Sequence, residues 1–170
     1  MRSIEERGGR SRDLESVGLG PLTRAQWPIV VAGAGVAASL VGVLAPWQSH
    51  NTLGSYTGIE TDDGKFLLVC ALAAAVALWR AIDRPGGPQL IVAAVAGVLV
   101  AGGGLRVVQR IGDAQEQVEA FIGGDPASTG PDLEPAWGLW LLMLGGVIVA
   151  VGSALELYRR LVLGPAATEG

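Results

Sequence analysis

The chain has 170 residues, of which 50% are hydrophobic and only 16% charged. A soluble domain carries about 25% charged residues, so this composition excludes a disordered chain and argues against an ordinary soluble globule. One cysteine, Cys70, and one histidine, His50, exclude an intrachain disulfide, a multi-cysteine zinc site and a histidine-rich metal centre. The net charge of -4 carries little meaning until it is divided between the two sides of a membrane.

The chain opens with a polar arm, residues 1–22, expected to be disordered. The stretch ahead of the first apolar run mixes four acids with five arginines. That mixture is too balanced for a nucleic-acid-binding patch, although weak attraction to anionic lipid is open to it. The transmembrane domain is expected over 23–161, with a short tail over 162–170.

Four apolar runs follow, at about 28–46, 66–82, 88–108 and 136–157. About 20 apolar residues are needed for a helix to cross a bilayer, and backbone groups in hydrocarbon must bond within their own segment. Each run is therefore read as a transmembrane helix. A soluble bundle would show polar stripes at helical spacing. The first run offers only Ser39 as a polar side chain, and Leu141 to Val151 offers none. No small-x-small cleavage pattern follows the first run, which is read as a retained span. Thr23 and Gln26 have capping-box spacing ahead of it.

The connections have different characters. Asp62 or Asp63 is placed to cap the second helix, with Lys65 reaching toward headgroups. Asp83-Arg84-Pro85-Gly86-Gly87-Pro88 is a tight turn, which makes the second and third spans antiparallel neighbours. Beyond the third span, Val107, Ile111, Ala114, Val118 and Phe121 recur at helical spacing. The third helix is thus expected to continue through 107–122 as an amphipathic extension, stopped by Gly123-Gly124. Its apolar stripe must cover something: the loop between the first two spans, the lipid interface or a partner protein. Ile111, Val118 and Phe121 are the candidate partner-binding residues.

Basic residues mark the cytoplasmic side. Nine fall on the side of the two termini and the short turn, against Lys65, Arg106 and Arg110 on the other. Both termini are expected in the cytoplasm of a multi-pass plasma-membrane protein. Nine acids make the outer loops acidic, without a calcium-loop motif. Trp27, Trp47, Trp79, Trp137 and Trp140 all lie near span ends and are read as interfacial anchors. Small residues recur every four positions: Ala34, Ala38 and Gly42 in the first span, Ala93, Gly97 and Ala101 in the third, Gly146 and Ala150 in the fourth. Such faces let helices approach closely in lipid, within the bundle or in a homo-oligomer. Gly102-Gly103-Gly104 suggests a bend or close packing.

No catalytic constellation is visible, and no catalytic, cofactor or metal residues are assigned. H-E-x-x-H, G-x-S-x-G and Walker A patterns are missing. Ionisable residues within the spans sit only at their ends, where Glu156 has Arg159 and Arg160 one turn away.

Leu44-Ala45-Pro46-Trp47, Asp63-Gly64-Lys65, Gly138-Leu139-Trp140 and Gly145-Gly146 together resemble the pattern Pro-Trp…Asp-Gly-Lys…Gly-Leu-Trp…Gly-Gly of a group of small four-span actinobacterial membrane proteins. The resemblance runs from about Trp27 to Tyr158 and implies a topology, not an activity. The expectation is an all-α integral membrane four-helix bundle with an extended third helix, acting as a non-enzymatic accessory or interaction component of the envelope. The expected partners are membrane lipid, a second copy in a homo-oligomer, and another membrane or envelope protein. The alternative is a small transporter or channel subunit working as an oligomer.

Overall fold

A computed structural model describes residues 27–50, 54–83, 87–122 and 134–162. The polar arm, with its Thr23–Gln26 capping box, and the tail lie outside the described residues. Four helices form the bundle: α1 Trp27–Leu44, α2 Asp62–Asp83, α3 Gly87–Ile122 and α4 Trp137–Val162. All four are long and apolar enough to cross a membrane. At about 1.5 Å per residue, α3 is about 54 Å long and overshoots a hydrocarbon core of about 30 Å.

The helices run up and down in a ring. α4 packs most extensively, against α1 on one side and α3 on the other; α2 completes the ring, and its interface with α1 is the slimmest of the four. In lipid there is little hydrophobic drive between helices, so close packing must hold them together. The sequence supplies that closeness in register. Pro28, Gly35 and Gly42 recur every seven residues on α1, and Gly138, Gly145 and Gly152 do so on α4. A Cβ added at Gly35 would meet Gly145 O at 2.8 Å; one at Gly145 would meet Gly35 O at 2.6 Å and Ser39 Oγ at 2.5 Å. Gly42 lies against Leu142 and Gly138 O, and Gly152 against Pro28 O and Ala32. This antiparallel register puts Trp27 and Val162 at one end of the bundle, here the terminal end. The opposite end is the capped end.

A seven-residue repeat on antiparallel helices is the geometry of a coiled-coil seam. Next in sequence to Gly145, Gly146 serves the other neighbour. It packs on Gly97 O and Ala101 N of α3, while Gly97 packs on Gly146 O and Ala150 N. The expected small faces on α3 and α4 therefore face each other inside the bundle. The face expected on α1 is corrected: Ala34 is exposed, and the buried stripe is Pro28, Ala32, Gly35, Ser39 and Gly42. Spacings of four and three, rather than a strict four, follow the helix period. In the glycine run of α3, Gly103 lies against Leu67 and Gly104 against Met143, whereas Gly102 faces open space. Two of the three glycines thus serve close packing.

The core has two halves. One, toward the terminal end, gathers Ala32, Ala74, Leu78, Leu90, Ala93 and Val149; the other, toward the capped end, gathers Val43, Trp47, Leu67, Val100, Ile111 and Leu142. Leu40 packs against both.

The capped end also holds a small antiparallel sheet that the sequence pattern did not suggest. Strand β1 (Pro46–His50) lies between β2 (Gly54–Thr57) and β3 (Glu134–Pro135). Gln48 pairs with Tyr56 on one side and with Pro135 on the other, and a bulge lies between Pro46 and Gln48. The sheet ties the α1–α2 connection to the segment entering α4.

Replacing Gly145 or Gly42 by alanine should force α1 and α4 apart and destabilise the bundle by about 1–3 kcal/mol, the usual range for overpacking. Gly33 faces open space, and Gly33→Ala should be neutral or stabilising by up to about 1 kcal/mol through helix propensity. Equilibrium unfolding in mixed micelles distinguishes the two classes. Equal effects at Gly33 and Gly145 would contradict the packing described.

Candidate functional site at the capped end

The capped end is built around Trp47. Pro46 follows α1 and starts β1, which turns the Trp47 side chain back over the helix end. Only 2% of Trp47 is exposed. Its indole Nε1–H donates to Gly42 O at 2.9 Å, satisfying one of the carbonyls that a helix C-terminus leaves without a partner. Trp47 is therefore not an interfacial anchor, as position alone suggested; its ring fills the bundle end. A buried indole needs an acceptor, and the unpaired carbonyl of α1 is within reach.

Glycines stack outward from this ring. A Cβ at Gly58 would collide with the Trp47 indole, and one at Gly64 would collide with Gly58 O. Gly64 lies in the first turn of α2, so this stack fixes where α2 begins. Thr61 caps the helix: its Oγ1 accepts from Gly64 N at 3.0 Å and donates to Gly58 O at 2.9 Å. The expected cap by Asp62 or Asp63 is corrected accordingly. Threonine is a good N-cap, and here its hydroxyl is also anchored to the preceding 3-10 turn, Gly58–Glu60. Both aspartates are left for ion pairs. Asp62 accepts from Lys65 Nζ at 3.0 Å, and Asp63 from Arg110 Nη1 at 2.6 Å. Lys65 thus turns back to its own helix. Gly138 closes the other side of the cap, against Ala45 and Pro46 O, while Ala136 N donates to Trp47 O at 2.8 Å.

The extension of α3 is braced against this cap. Ile111, expected to face a partner, is 4% exposed and belongs to the core half that contains Trp47. The reason is periodic. Leu90, Ala93, Gly97, Val100, Gly104 and Ile111 are all buried, with Val107 half-buried between the last two, so Ile111 continues the stripe that α3 buries within its span. Val118 is half-buried, and the Phe121 side chain lies outside the described residues. Gln109, Gly112, Asp113, Ala114, Glu116 and Gln117 form the exposed face. Glu60, Asp62 and Asp63 are exposed at the same end, and Asp63 reaches the extension through Arg110.

The other tryptophans, Trp27, Trp79, Trp137 and Trp140, are all at least half exposed. Trp27 and Trp79 lie at the terminal end, Trp137 and Trp140 at the capped end, which suits interfacial anchoring. Cys70 is buried in the core. Among the described residues, no three His, Cys, Asp or Glu side chains gather as metal ligands; the His50 side chain is outside that set.

The four short sequence motifs thus map onto packing. Pro46 and Trp47, Gly64, Gly138 and Leu139, and Gly145 with Gly146 are contact points of the bundle and its cap. Trp140, exposed, is the member left for the membrane interface.

Trp47→Phe, which leaves Gly42 O buried without a partner, should cost about 1–3 kcal/mol. Arg110→Ala breaks a pair whose side chains are half exposed and should cost under about 1 kcal/mol. Thermal unfolding of the purified chain ranks the two, and a larger loss at Arg110 would refute the assignment of Trp47 as the centre of the cap. No protein-family model matches the chain, and no match is found among curated proteins or solved structures.

Proposed function

We propose that this multi-pass membrane protein is a non-enzymatic accessory component of the cell envelope, whose working surface is the exposed face of the α3 extension. One observation carries this reading. The bundle interior is closed by backbone contact at Gly35–Gly145 and Gly97–Gly146, whereas α3 runs well past the membrane, and the cap braces it there through Ile111 and the Asp63–Arg110 pair. A path for ions needs polar groups and water in mid-membrane. The buried polar or charged residues among those described are Ser39, Ser153 and Glu156, of which only Glu156 is ionisable. A rigid helix carrying Asp113, Glu116 and Gln117 beyond the bilayer suits recognition of a basic or polar surface on another envelope protein.

The distribution of arginines supports placing the terminal end in the cytoplasm and the extension outside, in the plasma membrane.

A photo-crosslinker at Gln117, used in native membranes, should capture one discrete envelope protein, and a crosslinker at the lipid-facing Val98 should not. A cysteine at the same position, Gln117→Cys, should react with a membrane-impermeant thiol reagent added outside. Proteoliposomes of the purified chain should show no flux of common cations or anions. Capture of lipid and self alone, or measurable flux, would reject the accessory reading; the latter would favour a channel-forming oligomer.

A further inference from the structure

The seam between α3 and α4 changes character along its length. In mid-bundle it is closed by backbone contact, where Gly97 and Gly146 meet. Toward the terminal end the same two faces turn polar. On α3 the stripe of Ala101, Gly97 and Ala93 continues at a spacing of four to Gln89. On α4 the face of Gly146 returns every seven residues, at Ser153 and Arg160, with Glu156 one turn from each. Gly87 at the start of α3 packs on Leu157, which sets Gln89 level with this polar stretch of α4.

Four buried polar atoms in this stretch have no hydrogen-bond partner in the protein: Gln89 Oε1, Ser153 Oγ, Glu156 Oε2 and Arg160 Nη1. Among the described residues one other side-chain atom shares that condition, Ser39 Oγ, so the open groups are concentrated at one place. Ser153 is 1% exposed and Glu156 5%. The ion pair does not close the set. Glu156 Oε1 accepts from Arg160 Nε at 2.8 Å, which uses one oxygen and one nitrogen of the pair. Arg159 Nη1 stands 3.8 Å from Glu156 Oε2, too far for a hydrogen bond, and Arg159 has a further interaction of its own. Buried donors and acceptors left open are costly in a low-dielectric interior.

We infer that the terminal half of the α3–α4 seam is a hydration site, where ordered water accepts from Arg160 Nη1 and donates to Glu156 Oε2 and Gln89 Oε1, with Ser153 Oγ serving as donor or acceptor. The chemistry of the set selects water. A donor and several acceptors stand together, and water supplies both functions in one molecule. Glu156 and Arg160 cancel in charge, so the pair calls for a neutral ligand rather than an ion. The set also lies close to bulk solvent: Gly152 packs on Pro28 O, next to Trp27, which is exposed at this end and suits the membrane interface. Hydrogen bonds through water are nearly as favourable in enthalpy as direct ones, so water joins α3 to α4 where the small-residue contact ends. The contact at Gly97 and Gly146 bounds the site, which wets one end of the seam and makes no path across the bilayer.

The test is water-edited solid-state NMR of the full chain, isotope-labelled in lipid bilayers, which follows magnetisation from water into single side chains. Ser39 is the dry reference: it is as buried as Ser153 but lies in the α1–α4 seam beside Gly145. Ser153 Cβ and Glu156 Cδ should gain signal at least about threefold faster than Ser39 Cβ, as contact with bound water implies. Gln89→Leu combined with Ser153→Ala removes two of the water's partners and should slow the gain at Glu156 Cδ at least about twofold, whereas Ser39→Ala should leave it unchanged. Gain at Ser153 and Glu156 as slow as at Ser39 in the wild type would overturn the proposal. So would an undiminished rate at Glu156 in the folded double variant. Circular dichroism establishes that the variant is folded, and the wild-type comparison decides alone if it is not.

Discussion

Backbone contact between α1 and α4 is the constraint on which the rest of the structure depends. Lipid tails are as apolar as leucine, so apolar side chains alone give helices little reason to prefer one another over solvent. Attraction must come from many atoms at van der Waals distance, and glycine provides it by removing the side chain from the seam. The seven-residue repeats on α1 and α4 meet in antiparallel register, so that Gly35 and Gly145 each occupy the space where the other's Cβ would stand. Once that seam is set, Gly146 can face α3 because it is the next residue along, and α4 becomes the helix that joins both halves of the ring.

The cap extends the same principle past the end of the bundle. Trp47 uses its ring to fill the opening and its indole donor to close the hydrogen bonding of α1. Gly58 and Gly64 then let the following turn and helix lie directly on that ring. The result is a rigid end, across which the Asp63–Arg110 pair and Ile111 join the long helix to its neighbours.

Much of this was legible in the sequence, for definite reasons. Apolar length alone defines the four helices, and helical spacing carried α3 to its observed extension. The Glu156–arginine pairing followed from one-turn separation. Other features depended on partners that a linear reading does not supply. Trp47 has the composition and position of an interfacial anchor; only the turn at Pro46 sends it inward. Thr61 displaced the neighbouring aspartates as helix cap because its hydroxyl is also held by Gly58. The short sheet has no sequence signal, because β3 has two residues and no alternating pattern. From Val107 onward alone, the stripe that contains Ile111 reads as a face in need of a partner. Counted from Leu90, the same residues continue a buried face. The α1–α4 glycine repeat has a period of seven, which spacings of four do not reveal.

The position of α4 in the chain has a consequence for how the protein is made. Its two interfaces are the most extensive in the bundle, yet it is the last of the four helices to be synthesised. Until it enters the bilayer, α1 and α3 have no partner for their small-residue faces, and α1 and α2 meet only along the slimmest interface. The strand that completes the sheet beside β1 lies immediately ahead of α4 and arrives with it. A nascent chain stalled after α3 is therefore left with open seams and an unsealed end. Synthesis of the fourth span closes both seams and the capped end at once.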